Sequence, residues 1–330
     1  MGWYTLSGRH VGWAAGLLSS QPPEHFIYPN YPASVSWFTY VPFLNNIRFQ
    51  FSGGINPLEL LGYRHPAGSL ITLVPAVNFT LDFYLQQGTV LPFIDAIFSN
   101  AQWEIWDETA GQPIPNLPLP FTFVFSVRDP LDPSRILRQV ICPYAYISRM
   151  QGSIEEGSQA FRLQVDFAAP LLQLISSDFL AVFSSYDPTM PIPIIREITT
   201  EDFGQRQVTN FSFDLNNQIE FVYSSWRTGQ PADLLRTPAR LVYRGSQIQV
   251  NVSVLHPYYT SPPLSSDYSY PLFDFQFVIN YRYTSPAFEK RRLKFYQGKR
   301  VSIDIAYSMD GPAVENVNII ARYLKWEEVR

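Results

Sequence analysis

The chain has 330 residues, 46% of apolar type, with a formal charge of −4 and a single cysteine. That is enough apolar material for a sizeable core, and the length alone suggests two domains of roughly 150 residues. Charged residues and aromatics each make up 16% and there are 28 prolines, which excludes a disordered chain, a helical bundle and a globally basic nucleic-acid binder.

Residues 1–35 read as an N-terminal arm rich in Trp, Tyr and Pro. Trp3, Tyr4, Trp13, Phe26, Tyr28 and Tyr31 are too many large apolar groups for a tail in water. They pack on their own domain or bury on a neighbouring subunit. Helical periodicity is scarce, with short candidates at 12–19, 57–63 and 231–236.

From residue 36 onward the dominant signal is alternation with period two. Phe79, Leu81, Phe83 and Leu85 form one apolar row, and Phe121, Phe123, Phe125 and Val127 the next. Phe161, Leu163, Val165 and Phe167 follow, then Ile248, Val250, Val252 and Val254. Phe273, Phe275, Phe277 and Ile279 precede Val301, Ile303 and Ile305. Each row places large apolar groups on one sheet face and polar groups on the other, as in antiparallel sheets with one buried face. Pro, Gly, Asn and Asp clusters between rows supply turns. The class is all-β, in sandwiches.

The rows repeat. Phe49 and Phe51, Pro57-Leu-Glu-Leu-Leu61 and Gly68-Ser69 are echoed by Phe221 and Tyr223, Pro231-Ala-Asp-Leu-Leu235 and Gly245-Ser246, an offset of about 172 to 177 residues. Residues 121–127 mirror 273–279, and 161–186 can be laid on 301–326 without a gap. Alternation alone would arise in any two β-rich halves; the shared order of motifs argues for two copies of one sandwich. The first copy spans 36–186, a Pro-rich connector 187–204, and the second copy 205–330. Long loops are expected at equivalent places, 86–120 and 256–271, the kind of position where sandwiches display binding surface. The second carries Tyr258, Tyr259, Tyr268 and Tyr270, which either stack on sugars or fill a partner's pocket, or pack with prolines to order the loop.

Residues that could carry chemistry are sparse. Cys142 lies in a strand-like run and reads as a small buried hydrophobe. His10, His25, His65 and His256 are scattered without metal-ligand spacing, so no metal or cofactor is expected. Glu104 with Asp107, Asp129 with Asp132, and Glu155 with Glu156 are carboxylate pairs of the kind glycoside hydrolysis uses, but Asp also recurs in turns for its local hydrogen bonds. No nucleophile-elbow, phosphate-loop or dinucleotide fingerprint occurs. No apolar run is long enough to span a bilayer, residues 11–18 make no signal peptide, and Leu6 breaks the myristoylation pattern opened by Gly2.

One charge feature stands out: Lys290, Arg291, Arg292, Lys294, Lys299 and Arg300. It reads as a contact with nucleic-acid or lipid phosphates or with an acidic neighbour, or as a solvated strand and hairpin turning at Gln297-Gly298. Leu293 and Phe295, a buried-face pair inside the run, favour the second.

Low charge, abundant Pro and aromatics, tandem sandwiches and a sticky arm resemble the double jelly-roll capsid proteins of tailless icosahedral viruses. The resemblance covers 36–330 as pattern, and no family motif is matched residue by residue. It implies two tandem jelly-roll-like antiparallel β-sandwiches with an extended N-terminal arm, in a non-enzymatic virion protein. Such a chain assembles with itself, as a homotrimer within a larger shell, and with other virion proteins, and takes no small-molecule substrate. Sandwich duplications also occur in phage tail, spike and decoration proteins, where the tyrosine loop would meet surface glycans.

Overall fold

A computed structural model of the chain describes residues 11–15, 39–40, 49–52, 55–58, 68–71, 76–85, 90–128, 136–154, 160–170, 173–174, 194–199, 208–222, 240–256, 272–282, 288–306 and 313–329. In chain order the strands are β1 (Val11–Ala15), β2 (Thr39–Tyr40), β3 (Gln50–Ser52), β4 (Ile55–Leu58), β5 (Gly68–Ile71) and β6 (Ala76–Tyr84). After helix α1 (Val90–Ser99) come β7 (Glu104–Asp107), β8 (Gln112–Pro115), β9 (Phe121–Arg128), β10 (Ile136–Ile154), β11 (Arg162–Ala169) and β12 (Gln173–Leu174). The remainder are β13 (Ile194–Thr199), β14 (Val208–Val222), β15 (Arg240–His256), β16 (Phe273–Arg282), β17 (Phe288–Ala306), β18 (Ala313–Ala321) and β19 (Tyr323–Glu328).

All-β holds, with one helix among the described residues. The strands form one long back sheet, ordered β3-β6-β11-β10-β14-β15-β18-β17, and two front sheets, β2-β1-β9-β10-β12 and β13-β16-β17-β19. Every ladder is antiparallel. The rows expected from alternation supply the facing layers: Phe79, Leu81, Phe83, Phe123, Phe167, Val250, Phe277 and Phe295 are all at most 2% exposed. Phe79 meets Phe123 at 5.2 Å between ring centroids, and Phe211 meets Phe277 at 4.2 Å. Both front sheets therefore cover the same face of the back sheet, and one continuous core runs through both halves.

Strand partnerships repeat along the chain. β10 and β17 are each 19 residues long. The first part of β10 pairs with β9 and β12, and its second part with β11, which pairs with β6, which pairs with β3. Likewise the first part of β17 pairs with β16 and β19, and its second part with β18, which pairs with β15, which pairs with β14. The mirroring of 121–127 by 273–279 agrees with this, because β9 and β16 hold the same place. The gapless overlay of 161–186 on 301–326 does not: it sets β11 on the second part of β17, whereas pairing matches β11 to β18. Period-two rows look alike whichever strand they come from, so alternation could not choose between them.

The two long strands change sheets at matched points. Tyr144 (φ 55°) and Gln297 (φ 54°) are the only non-glycine residues with positive φ among those described. Each precedes a small buried residue, Ala145 or Gly298, that pairs with the first residue of its neighbour, Phe121 or Phe273. A Cβ on Gly298 would lie 2.6 Å from the Phe275 ring. The expected hairpin turn at Gln297-Gly298 is thus a corner inside an unbroken strand.

Other expectations change too. Residues 12–15 and 57–58, the described parts of two helical candidates, lie on strands β1 and β4, because β-rich neighbours offer ladder partners that short helices lack; residues 231–236 lie outside the described residues. Part of the expected arm, β1, adds to the front sheet beside β9, and part of the expected connector forms β13 beside β16. Val301 is 47% exposed despite its place in an apolar row, because the register shifts between Arg300 and Ser302 at the end of the back sheet. The helix at 90–99 was not expected, although residues 90, 93, 94, 97 and 98 follow a 3.6 period and Pro92 sits in the first turn, where proline is tolerated.

The halves join through β10 and β14, in register from Arg149 opposite Asn216 to Ile154 opposite Phe211. At this seam Gly152 faces the core, and a Cβ there would come within 2.2 Å of the Phe213 ring. Gly152→Ala is expected to destabilise the protein by about 1–3 kcal/mol through overpacking, seen as a lower urea midpoint. Ser153→Ala, on the opposite face one residue on, is expected to leave the midpoint within about 0.5 kcal/mol of the parent.

Candidate functional site

Of residues 86–120, expected as a display loop, 90–120 fold back across the seam. Apolar Phe93, Ile94, Ile97 and Phe98 of α1 are buried, each contributing roughly 1.5–3 kcal/mol. Phe93 touches Phe83 and Phe123, and Phe98 touches Phe213 and stacks on Trp326 at 4.7 Å and 8°. The Trp326 indole N–H donates to Asp95 Oδ1 at 2.8 Å. Beyond the helix, the Gln102 amide makes a two-way bond with the Leu324 backbone: Nε2 donates to the carbonyl at 2.6 Å and Oε1 accepts the N–H at 3.0 Å. Buried Asn217 donates from Nδ2 to the carbonyls of Ala101 and Ile147.

The hairpin β7–β8 ends this clasp and meets the basic run. Lys294 and Lys325 each donate to Glu108 at 2.6 Å, and the Tyr296 hydroxyl does so at 2.7 Å. Hydrogen bonds from Lys294, Lys325 and Tyr296 pull the Glu108 carboxyl from its ordinary 4.5 down to about 2. Burial, reinforced by Glu108, pushes the Tyr296 hydroxyl well above its usual range. Glu327 accepts from Arg292 at 3.1 Å and pairs with Lys294 and Lys325. Arg291 is buried and lies 3.8 Å from both Asp95 and Glu328. Arg300 sits over the Phe273 ring at 5.1 Å, and Lys299 is exposed. Leu293 and Phe295 are fully buried, as expected. Lys290 lies on β17 opposite Asn280. Much of the basic run is thus held by carboxylates of its own chain.

The remaining expected site residues separate. Trp13 lies on β1 opposite Phe123. Trp3, Tyr4, Phe26, Tyr28, Tyr31, Tyr258, Tyr259, Tyr268 and Tyr270 lie outside the described residues. Cys142 is fully buried and burial raises its thiol far above the usual range, as befits a small hydrophobe. Asp107 uses Oδ1 to accept the N–H groups of Thr109 and Ala110 in the hairpin turn, while Glu104 is exposed. Asp129, Asp132, Glu155 and Glu156 lie outside the described residues.

The outer face of the back sheet is polar, and a trough of about 270 Å³ opens on it at the seam. Two cross-strand rows build it. Arg162, Ser153, Ser212 and Asn251 are directly opposite one another on β11, β10, β14 and β15. Gln164, Gln151, Asp214 and Gln249 form the next row. Two serines at the middle, flanked by longer side chains, create the depression. Its charges are paired: Arg162 binds Asp82, and Asp214 accepts from Arg149 and, at 3.0 Å, from Gln151. Burial opposes ionisation of Asp214, yet these bonds hold its carboxyl below the usual range. The polar positions of the alternating rows marked this face in the sequence; which of them stand side by side depended on register, which the sequence did not reveal.

No known protein family matches the chain, and no curated protein does so either.

Glu108 also sets a pH dependence. Its folded-state pKa is depressed, so its contribution is complete above about 4.5 and is lost as pH falls toward 2. Hydrogen exchange in residues 104–115 is expected to accelerate over that window, and Glu108→Gln is expected to show the faster exchange already at neutral pH.

Proposed function

We propose that the chain is a non-enzymatic structural subunit of a viral shell, a capsid protein that assembles with itself, as a trimer within a larger icosahedral particle, and with other virion proteins. The observation that carries this reading is the repeated strand partnership fused through one continuous sheet and one core. In the second repeat, eight strand segments lie in two four-stranded sheets once β17 is counted in both. By two-sheet form, rather than by strand order, each repeat is read as jelly-roll-like. Such a double-width, stiff plate suits a shell, where shape must be kept under many weak contacts.

Exposed apolar side chains add support. Leu117 and Leu119 precede β9, and Leu272 precedes β16, at 68%, 50% and 54% exposure. Exposed leucines ahead of the matching strands of the two repeats would give neighbouring copies apolar contacts. Trp3 and Tyr4 would lap onto a neighbour ahead of β1. With Arg291, Arg292 and Lys294 occupied by carboxylates, contact with nucleic-acid or lipid phosphate would fall to Lys290, Lys299 and Arg300. The reading assigns no cofactor and no catalytic group.

Sedimentation and electron microscopy of the full chain, and of a chain lacking residues 1–10, test the reading. The full chain is expected to form trimers or closed particles, and the truncated one to lose the larger species while its melting temperature stays unchanged. A monomer at every attainable concentration would overturn the proposal.

A further inference from the structure

We infer that the trough on the outer face of the back sheet is a binding site for an uncharged carbohydrate chain lying across the strands. The inference rests on the trough alone and stands or falls separately from the shell reading. Ser153, Ser212, Gln164, Gln249 and Asn251 line it, and among the described residues their side chains make no hydrogen bond. Hydroxyl and primary amide groups both donate and accept. A surface of such groups is matched by a ligand that also offers donors and acceptors at every turn, which is the chemistry of a polyhydroxylated chain.

Charge sets the ligand's neutrality. Arg162 is engaged by Asp82, and Asp214 by Arg149 and Gln151, so the site presents neither a free cation nor a free carboxylate. An acidic glycan would find no unpaired partner, and a basic peptide none either. Geometry sets the direction. The rows cross β11, β10, β14 and β15 at the spacing of adjacent strands, about 4.8 Å, comparable with the length of one sugar unit. One chain could thus meet a fresh pair of polar groups at each step. Tyr84, opposite Arg162 on β6, continues the first row and carries an aromatic ring of the kind sugars stack on. At the other end Asn318 and Ser302 extend it, already bonded to each other at 2.7 Å. The site is shared between the halves: two of its strands precede the seam and two follow it.

Titration calorimetry of the full chain with neutral hexasaccharides of glucose, mannose, galactose and N-acetylglucosamine tests this, with hexagalacturonate as the acidic comparison. Saturable binding of a neutral hexamer, stronger than that of the acidic one, is expected. Gln164→Ala combined with Asn251→Ala is expected to weaken it by about tenfold, the loss of two hydrogen bonds, with no change in melting temperature because both side chains are outside the core. Ser212→Trp, which fills the trough, is expected to abolish it. No heat with any neutral hexamer, preference for the acidic one, or parent-like affinity in the double alanine variant would overturn the inference.

Discussion

Two residues in left-handed backbone conformation, Tyr144 and Gln297, set the architecture. A 19-residue strand that stayed in one sheet could not close a sandwich; one that turns a corner serves both layers. The conformation costs an L-residue roughly 1–2 kcal/mol, and the surroundings hold it. Asp274 accepts the Gln297 N–H at 2.9 Å, and the small residue that follows lets a phenylalanine-bearing strand come close. Because each corner sits at the same point relative to its partners, each long strand passes from a front sheet into the back sheet.

Fusion follows from the second parts of those strands. Once past its corner, β10 has one side against β11 and the other open, and β14 takes the open side. The back sheet then runs without interruption, and the apolar rows of both halves merge. Helix α1 occupies the space where the two front sheets approach, touching Phe123 of one and Trp326 of the other. Among the lysines and arginines that look in sequence like a contact for external phosphate, Arg292 and Lys294 are paired with the hairpin and the final strand, as Glu108 and Glu327 show.

Much of the layer structure was legible in the residues. Rows such as Phe161 to Phe167 specified both that a strand forms and which face it buries. What alternation could not specify was partnership. Gly152 marked a close approach only once Phe213 was known to lie across from it, and Gln102 signalled nothing until Leu324 was beside it. The trough was half legible: Gln164, Gln249 and Asn251 were clearly outward, but their adjacency to Ser153 and Ser212 arises from register across the seam. The clasp was misread as a loop because its prolines outweighed the helical period of 90–98.

The bond between Gln102 and Leu324 has a consequence for biogenesis. Polypeptides leave the ribosome amino end first, at about 5–20 residues per second. Helix α1 emerges early, yet the indole that covers Phe98 and the backbone that satisfies Gln102 are made more than two hundred residues later. Until synthesis is nearly complete, the amino-terminal half must carry Phe98 without its cover and Gln102 with an unanswered amide. Nascent chains of this protein therefore present a sticky surface to chaperones, and a ribosome stalled before the final strand holds an aggregation-prone fragment rather than a finished half.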